Sequence, residues 1–86
     1  MSIEEIRTRI KEIIANVTNI DPAEIGDDAS LVEELQLDSL SLLEIGVDVD
    51  YEFKLGVPEE RLGKMRTVGD AVALVQETLA AKADVA

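Results

Sequence analysis

Apolar side chains recur every three or four residues in three separate segments of this 86-residue chain. That spacing places them on one face of an α-helix, and helices of this kind bury their apolar faces by packing together. The three segments cover residues 2–16, 39–55 and 67–79. We therefore expect an all-α protein: a small four-helix bundle of three main helices and one short helix, with a long loop between helices 1 and 2.

The first and last segments begin with hydrogen-bonding residues that start helices. Ser2 and Glu5 have the spacing of a capping box, and Thr67 and Asp70 repeat it with a shorter acid. We expect the first helix to end at Asn16. Its apolar stripe consists of Ile3, Ile6, Ile10, Ile13 and Val17. The stripe of the last helix consists of Val68, Ala71, Val72, Val75 and Leu79.

The middle segment is ambiguous between strand and helix. Residues 45–55 alternate apolar and polar side chains, as a half-buried strand does, and Gly46 weakens a helix by about 1 kcal/mol relative to alanine. A helical wheel resolves the same alternation into two apolar arcs. The first arc contains Leu42, Ile45, Val49 and Phe53, and the opposite arc contains Leu40, Leu43, Val47 and Tyr51.

We favour the helix for this segment, because Asp38 is a good N-cap and Gly56 suits the C′ position. A lone strand would also lack a partner with which to form a sheet. If the segment is helical, Gly46→Ala should be neutral or stabilising, provided that the added methyl group fits.

The connection between the first two main helices contains too many apolar residues for a free linker. These residues are Ile25, Leu31, Val32, Leu35 and Leu37. Asp21 can cap a single turn that begins at Pro22, and we expect a further turn of helix at residues 31–35. Pro58 can open the short helix, which Gly63 limits. We expect a loop whose apolar side chains pin it to the core.

The length of the chain is enough for one domain. We expect a single domain over residues 1–86, ordered over about residues 2–80, with a frayed tail at residues 81–86. Tyr51 and Phe53 are the only aromatic residues, so the core must be aliphatic.

The charge is strongly acidic and unevenly distributed. Eight Lys and Arg residues stand against 19 Asp and Glu residues, which gives a net charge of −11. Between Lys11 and Lys54 there are twelve acidic residues and no basic ones. This pattern argues against partners such as nucleic acid or anionic membranes, which require a basic surface. The acidic block is either a solvated surface or a docking surface for basic partners.

The absence of Cys and His excludes thiolate catalysis, a disulfide scaffold, a histidine general base and the common kind of zinc site. An enzyme that acts alone is therefore not expected. No stretch approaches the ~20 apolar residues of a membrane span, and Met1–Arg9 lacks the apolar centre of a signal peptide. We expect a cytoplasmic protein.

The most informative motif is the tetrapeptide Leu37-Asp38-Ser39-Leu40. If Asp38 caps the second main helix, Ser39 projects from its first turn. The free N–H groups and the positive end of the helix dipole suit an attached phosphate at that position.

Around this motif the chain resembles the acyl carrier proteins, whose signature is Asp-Ser-Leu at the start of the second helix. The resemblance covers about residues 3–79. Matching positions outside the motif are Asp27–Leu31, Glu33–Leu35, Glu44, Phe53, Pro58 and Thr67–Val72. The chain departs from the family at Gln36, where glycine is common, at Ser41, where the fatty acid branch often has an acid, and at Gly46.

The resemblance implies a free-standing acyl carrier protein. A phosphopantetheinyl transferase would attach 4′-phosphopantetheine from coenzyme A to Ser39, with Asp38 and Leu40 beside the attachment site. The terminal thiol would hold acyl groups as thioesters and present them to partner enzymes of fatty acid or polyketide biosynthesis. Because the transferase supplies the catalysis, such a carrier needs neither His nor Cys.

The outer arc of the second main helix predicts a docking surface. The resemblance places the first arc in the core, so Leu40, Leu43 and Val47 should face outward, flanked by Glu44 and Asp48. An apolar strip edged by acids suits the basic patches that the resemblance implies on acyl-processing enzymes. We expect a monomer that binds neither nucleic acid nor membranes.

Two other functions stay open on the sequence. Asp48, Asp50, Glu52 and Glu59 occupy positions 1, 3, 5 and 12 of an EF-hand spacing, as in an acidic calcium-binding helical protein. Phe53 replaces the glycine that this loop needs at position 6, so we expect no metal site. The other alternative is an interaction module whose serine is never modified.

Overall fold

The computed structural model describes residues 2–85, with side chains described as far as residue 81, and all of its regular elements are helical. The α-helices are α1 (Ile3–Thr18), α2 (Ser39–Phe53), α3 (Glu59–Leu62) and α4 (Val68–Val85), and a 3₁₀ turn lies at Pro22–Glu24. Helix α1 packs against α2 and α4, and α3 packs against α2. The predicted bundle of three main helices and one short helix, with its long first loop, is confirmed.

Helix α1 begins with the predicted capping box. The hydroxyl of Ser2 accepts a hydrogen bond from the N–H of Glu5 at 3.2 Å and donates one to the Glu5 carboxylate at 3.3 Å. The helix ends at Thr18, two residues later than predicted. Asn19 then adopts the left-handed conformation, with φ of 63°, and its N–H donates to the carbonyl of Ala15. Asparagine tolerates this conformation better than most residues do, so it can end the helix here.

The buried face of α1 differs from the predicted stripe. Ile6, Ile10 and Ile14 are buried, Ile13 and Val17 are only partly buried, and Ile3 is 44% exposed. Ile13 and Ile14 follow Ile10 by three and four residues, so both fit helical spacing. Because α1 lies between α2 and α4, Ile14 is the one of the two that faces the core.

Helix α2 buries the predicted inner arc: Leu42, Ile45, Val49 and Phe53. Gly46 is buried as well, against α3. A Cβ atom at Gly46 would lie 2.8 Å from the Cβ of Leu62 and 3.0 Å from its carbonyl oxygen. The condition on which Gly46→Ala was expected to be neutral or stabilising, that the added methyl group fits, is therefore not met.

The end of α2 also differs from its prediction. Lys54 takes the C′ position after the helix that was predicted for Gly56, with a left-handed φ of 52°. Gly56 is left-handed as well, with a φ of 71°, but lies beyond the cap. The N–H of Leu55 donates to the carbonyl of Asp50 at 3.0 Å, which closes a Schellman motif. Leu55 is buried. The burial of Leu55 turns the chain into the core one residue before Gly56.

The short helix and α4 begin as predicted. Pro58 precedes α3, and Gly63 ends it. At α4, the Thr67 hydroxyl accepts from the N–H of Asp70 at 3.0 Å, and the Asp70 carboxylate accepts from the N–H of Thr67 at 3.2 Å. The buried residues of α4 are Val68, Ala71, Val72, Leu74 and Val75.

The C-terminal end of α4 extends to Val85. Ala86 and the side chains from residue 82 onward lie outside the described residues. The predicted fraying of residues 81–86 stays a prediction.

The loop between α1 and α2 is fixed to the rest of the fold. Ile25 and Leu31 are buried, and the N–H of Leu31 donates to the carbonyl of Arg66 at 2.8 Å. The predicted turn of helix at residues 31–35 is present as a single turn, in which the N–H of Glu34 donates to the carbonyl of Ser30 at 3.0 Å. The Ser30 hydroxyl accepts from the N–H of Glu33 at 3.0 Å and caps this turn. Contacts with the α3–α4 connection thus hold the segment that leads into α2.

Within residues 2–85, no helix combines the length and the apolar content needed to cross a membrane.

Candidate functional site

Asp38 fixes the start of α2. Its backbone is extended, and its carboxylate accepts a hydrogen bond from the N–H of Ser41 at 2.8 Å. Its carbonyl accepts the first intrahelical bond, from Leu42, at 3.0 Å. The N–H of Ser41, and to a smaller extent its hydroxyl, lower the pKa of Asp38 below its ordinary value. The carboxylate is therefore charged at neutral pH, and the predicted N-cap is confirmed.

Ser39 is the first residue of α2, and its side chain is exposed. Among the described residues, no hydrogen bond engages its hydroxyl, which is therefore available to an incoming reagent. The positive end of the helix dipole lies at the same place. An exposed, uncommitted hydroxyl at a helix start fits the attachment of a phosphate-linked arm.

The segment before the site is held in an unusual backbone conformation. Gln36 has a φ of 54°, in the left-handed region that favours glycine. The N–H of Leu37 then donates to the carbonyl of Leu31 at 3.0 Å. Because Leu31 is itself buried, this bond ties the residues immediately before Asp38 to the core.

The outer face of α2 carries the predicted strip. Leu40 is 72% exposed and Val47 is 44% exposed, and Glu44 and Asp48 are exposed. Leu43 does not face fully outward as expected: it is half-buried and packs partly against the core. Together these five residues line a shallow apolar groove, which we call the docking surface.

Tyr51 lies outside the predicted docking residues, although it shares the outer arc of α2 with Leu40, Leu43 and Val47. The structure leaves it 84% exposed, more than any other large hydrophobic residue described. The sequence feature that points to Tyr51 is its spacing of four residues from Val47, which extends the apolar strip by one helical turn.

The geometry does not favour a calcium site. Asp48, Asp50 and Glu52 all lie within α2, so their side chains diverge around a helix instead of converging in a loop. The Asp50 carboxylate accepts a hydrogen bond from the N–H of Val57 at 2.9 Å. In the described part of the chain, no group of three or more acidic side chains is arranged to hold a metal ion.

Comparison with known proteins gives a consistent result. The family model described as "Phosphopantetheine attachment site" matches residues 8–75. The meromycolate extension acyl carrier protein of Mycobacterium tuberculosis is 46% identical over 74 residues, which are 86% of this chain and 64% of that relative. The chain thus spans slightly less than two thirds of that protein. The acyl carrier protein of Rhodococcus erythropolis is 43% identical over 74 residues, 86% of this chain and 81% of the relative.

A solved structure supports the fold. The solution structure of the apo doublet acyl carrier protein from prodigiosin biosynthesis superposes with a TM-score of 0.77, covering 86% of this chain and 36% of that one. At 24% sequence identity, this likeness shows the fold alone.

Acyl carrier proteins carry covalently attached 4′-phosphopantetheine, are carriers and not enzymes, and interact with phosphopantetheinyl transferases and acyl-processing enzymes. The family model covers most of the chain, and the two relatives agree with it over nearly the same length. The chain belongs to the acyl carrier proteins, the family defined by its phosphopantetheine attachment site.

Proposed function

We propose that this protein is a free-standing acyl carrier whose 4′-phosphopantetheine arm is attached to Ser39. The observation that carries the proposal is the exposed, uncommitted Ser39 hydroxyl in the first turn of a helix capped by Asp38. The Asp-Ser-Leu motif lies within residues 8–75, which match the family.

The residues around Ser39 have separate roles in the attachment. The Ser39 hydroxyl oxygen attacks the phosphorus of coenzyme A that carries the pantetheine arm. The new phosphodiester forms as the pyrophosphate P–O bond breaks, adenosine 3′,5′-bisphosphate leaves, and the hydroxyl proton passes to a base. Asp38 fixes the backbone so that this oxygen points into solvent. The helix N-terminus stabilises the negative charge of the attached phosphate. In this proposal, the transferase supplies the base that takes the hydroxyl proton.

The attached arm supplies a terminal thiol that holds acyl groups as thioesters. The carrier presents them to enzymes of fatty acid or polyketide biosynthesis. The name of the M. tuberculosis relative, a carrier for meromycolate extension, supports a role in the extension of acyl chains. The proposal places the carrier in the cytoplasm with those enzymes, as a monomer.

The test of attachment is intact mass spectrometry after incubation with coenzyme A and a broad-specificity phosphopantetheinyl transferase. The parent protein should gain the mass of one phosphopantetheine group. Ser39→Ala should gain none, whereas Ser41→Ala, which removes the nearest hydroxyl on the same helix, should be modified like the parent. Modification of Ser39→Ala would show that the arm is attached elsewhere.

We also propose that the docking surface receives a basic patch of the partner enzyme. Its exposed apolar side chains, Leu40 and Val47, can be buried by a partner, and the carboxylates of Glu44 and Asp48 stand at its edge. Charge complementarity of this kind mainly raises the rate of encounter. Two copies of the same acidic surface repel each other, which supports a monomer.

Charge reversal tests this docking surface. Glu44→Lys and Asp48→Lys should slow the modification of Ser39 at low salt, and about 0.5 M salt should narrow the difference from the parent because it screens exposed charges. Leu40→Ala should slow modification at every salt concentration, because its contribution is apolar. The matched control is Glu12→Lys, an equal change of charge at an exposed position of α1. If Glu12→Lys slows modification as much as Asp48→Lys does, only net charge matters.

A further inference from the structure

Tyr51 is a large exposed group next to the docking surface but outside it. It is the only tyrosine of the chain, and 84% of it is exposed. It follows Val47 by one helical turn on α2, so its ring extends the same apolar strip toward the end of the helix.

The surroundings of Tyr51 indicate the chemistry of its partner. The exposed carboxylate of Asp48 precedes it by three residues, so the two side chains are neighbours on the helix surface. An arginine or lysine that stacks on the face of an aromatic ring gains a cation–π interaction, and a nearby carboxylate can pair with the same charge. Residues 12–53, which include all of the strip, contain twelve acidic residues and no basic one.

The dimensions allow one enzyme to cover both Ser39 and Tyr51. Twelve residues of α-helix separate them, which corresponds to about 18 Å along the axis. One side of a standard interface, roughly 800 Å², is about 30 Å across. An enzyme whose active site lies at Ser39 and whose body follows α2 therefore reaches Tyr51.

We propose that Tyr51 is the distal anchor of the docking surface, and that the phosphopantetheinyl transferase covers its ring with an arginine or lysine side chain. This inference rests on the proposed function and adds a binding residue and the chemistry of its partner. A second copy of this chain is a poor occupant, because its own strip is edged by acids and would bring like charges together.

The test measures kcat and KM for the carrier with the same transferase and coenzyme A. Tyr51→Ala should raise KM about fivefold and leave kcat unchanged, because a contact 18 Å or so from the reacting oxygen contributes equally to substrate and transition state. Tyr51→Phe keeps the ring and should behave like the parent. Ile3→Ala is the matched control, since it truncates an apolar residue of α1 that is 44% exposed, and its KM should not change.

Several outcomes would overturn the proposal. An unchanged KM for Tyr51→Ala would show that the transferase does not contact the ring, and an equal loss for Tyr51→Phe would show that the ring is not what is bound. A parent protein that is a dimer by sedimentation, with Tyr51→Ala a monomer, would assign the strip to a second copy. A parent that is not modified at all would instead refute the proposed function. Circular dichroism of each variant confirms that the fold is kept.

Discussion

Gln36 lies in an unusual backbone conformation just before the proposed attachment site. It adopts a φ of 54° two residues before Asp38, at a position where the family often has glycine. A side chain in the left-handed region costs roughly 1–2 kcal/mol through contact of its Cβ with the backbone. Gln36, where this chain departs from the family, is therefore a strained residue in the loop that precedes Ser39.

We expect Gln36→Gly to stabilise the protein. Relief of the strain exceeds the extra entropy that glycine gives to the unfolded chain, so the net gain should be about 0.5–1 kcal/mol. The matched reverse change is Gly56→Ala. Gly56 has a φ of 71° and no atom within 4 Å of its added Cβ, so only the backbone effect remains there and the variant should be less stable. Urea denaturation measures both, and a destabilised Gln36→Gly would mean that its side chain contributes more than the strain costs.

At the scale of elements, the contact between α2 and α3 depends on a residue without a side chain. Gly46 brings the backbone of α2 against Leu62, and the Cε atom of Met65 lies 3.2 Å from where a Cβ would be. Gly46 weakens α2 as a helix, but the absence of a side chain allows α3 to pack closely against α2.

Gly46→Ala should destabilise the protein. Overpacking against the Leu62 backbone costs roughly 1–3 kcal/mol, and the gain in helix propensity returns at most about 1 kcal/mol, so the net loss should be about 1–2 kcal/mol. Ser41→Ala is the control on the same helix, because it raises helix propensity away from this contact. Thermal unfolding of the three proteins measures the difference. Equal stability of Gly46→Ala and the parent would show that α3 can move away at no cost.

An ion-pair cluster ties α1 to the long loop. The Asp27 carboxylate lies 2.5 Å from the ammonium nitrogen of Lys11 and 3.9 Å from the guanidinium of Arg7. The hydrogen bond and charge of Lys11, followed by the charge of Arg7, hold the pKa of Asp27 below its ordinary value of 3.8. Because the pKa is lower in the folded state, the ion pair stabilises the fold above about pH 4, and this contribution is lost as the pH falls through the lowered pKa.

We expect Asp27→Asn to melt at a lower temperature than the parent at pH 7, and the two melting temperatures to converge as the pH falls toward about 2. Asp28→Asn removes the same charge from the next residue, which makes no ion pair within the described residues, and should show a smaller difference at pH 7. If the difference in melting temperature between Asp27→Asn and the parent does not change with pH, the effect of the substitution does not come from the charge of Asp27.

At the scale of the whole molecule, the acidic charge that we propose for docking opposes folding. Nineteen acidic residues against eight basic ones leave a net charge of −11, and most of this charge lies on the surface. Self-repulsion of like charges destabilises a compact state, and salt screens it. Ion pairs such as Lys11–Asp27 and Arg9–Glu52 are weakened by salt as well, but eight basic residues can pair with fewer than half of the 19 acids.

Salt should therefore act on folding and on docking in opposite directions. Between low ionic strength and about 0.5 M sodium chloride, the melting temperature should rise by several degrees while the modification of Ser39 slows. Thermal unfolding and the transferase rate, measured in the same buffers, provide the comparison. A melting temperature that falls with salt would show that the ion pairs outweigh the repulsion.

The starts of the helices could be predicted from the sequence because each depends on a local hydrogen bond. At Ser2, Asp38 and Thr67, a side-chain oxygen accepts from an N–H group three residues later, and such a bond forms wherever the local backbone is helical. The inner arc of α2 could also be predicted, because the spacing of residues within a single helix determines which side chains share a face. The motif around Ser39 identified the family because its residues are contiguous in the chain.

Packing between distant segments decided the rest. It selected Ile14 over Ile13 and placed the C′ residue of α2 at Lys54 instead of Gly56. It also buried half of Leu43 and left no room for a methyl group at Gly46. In each case, several positions satisfy the local spacing equally well. Only the neighbours brought close by tertiary structure make their free energies differ, because the van der Waals contact and apolar burial that distinguish them come from residues far away in the sequence.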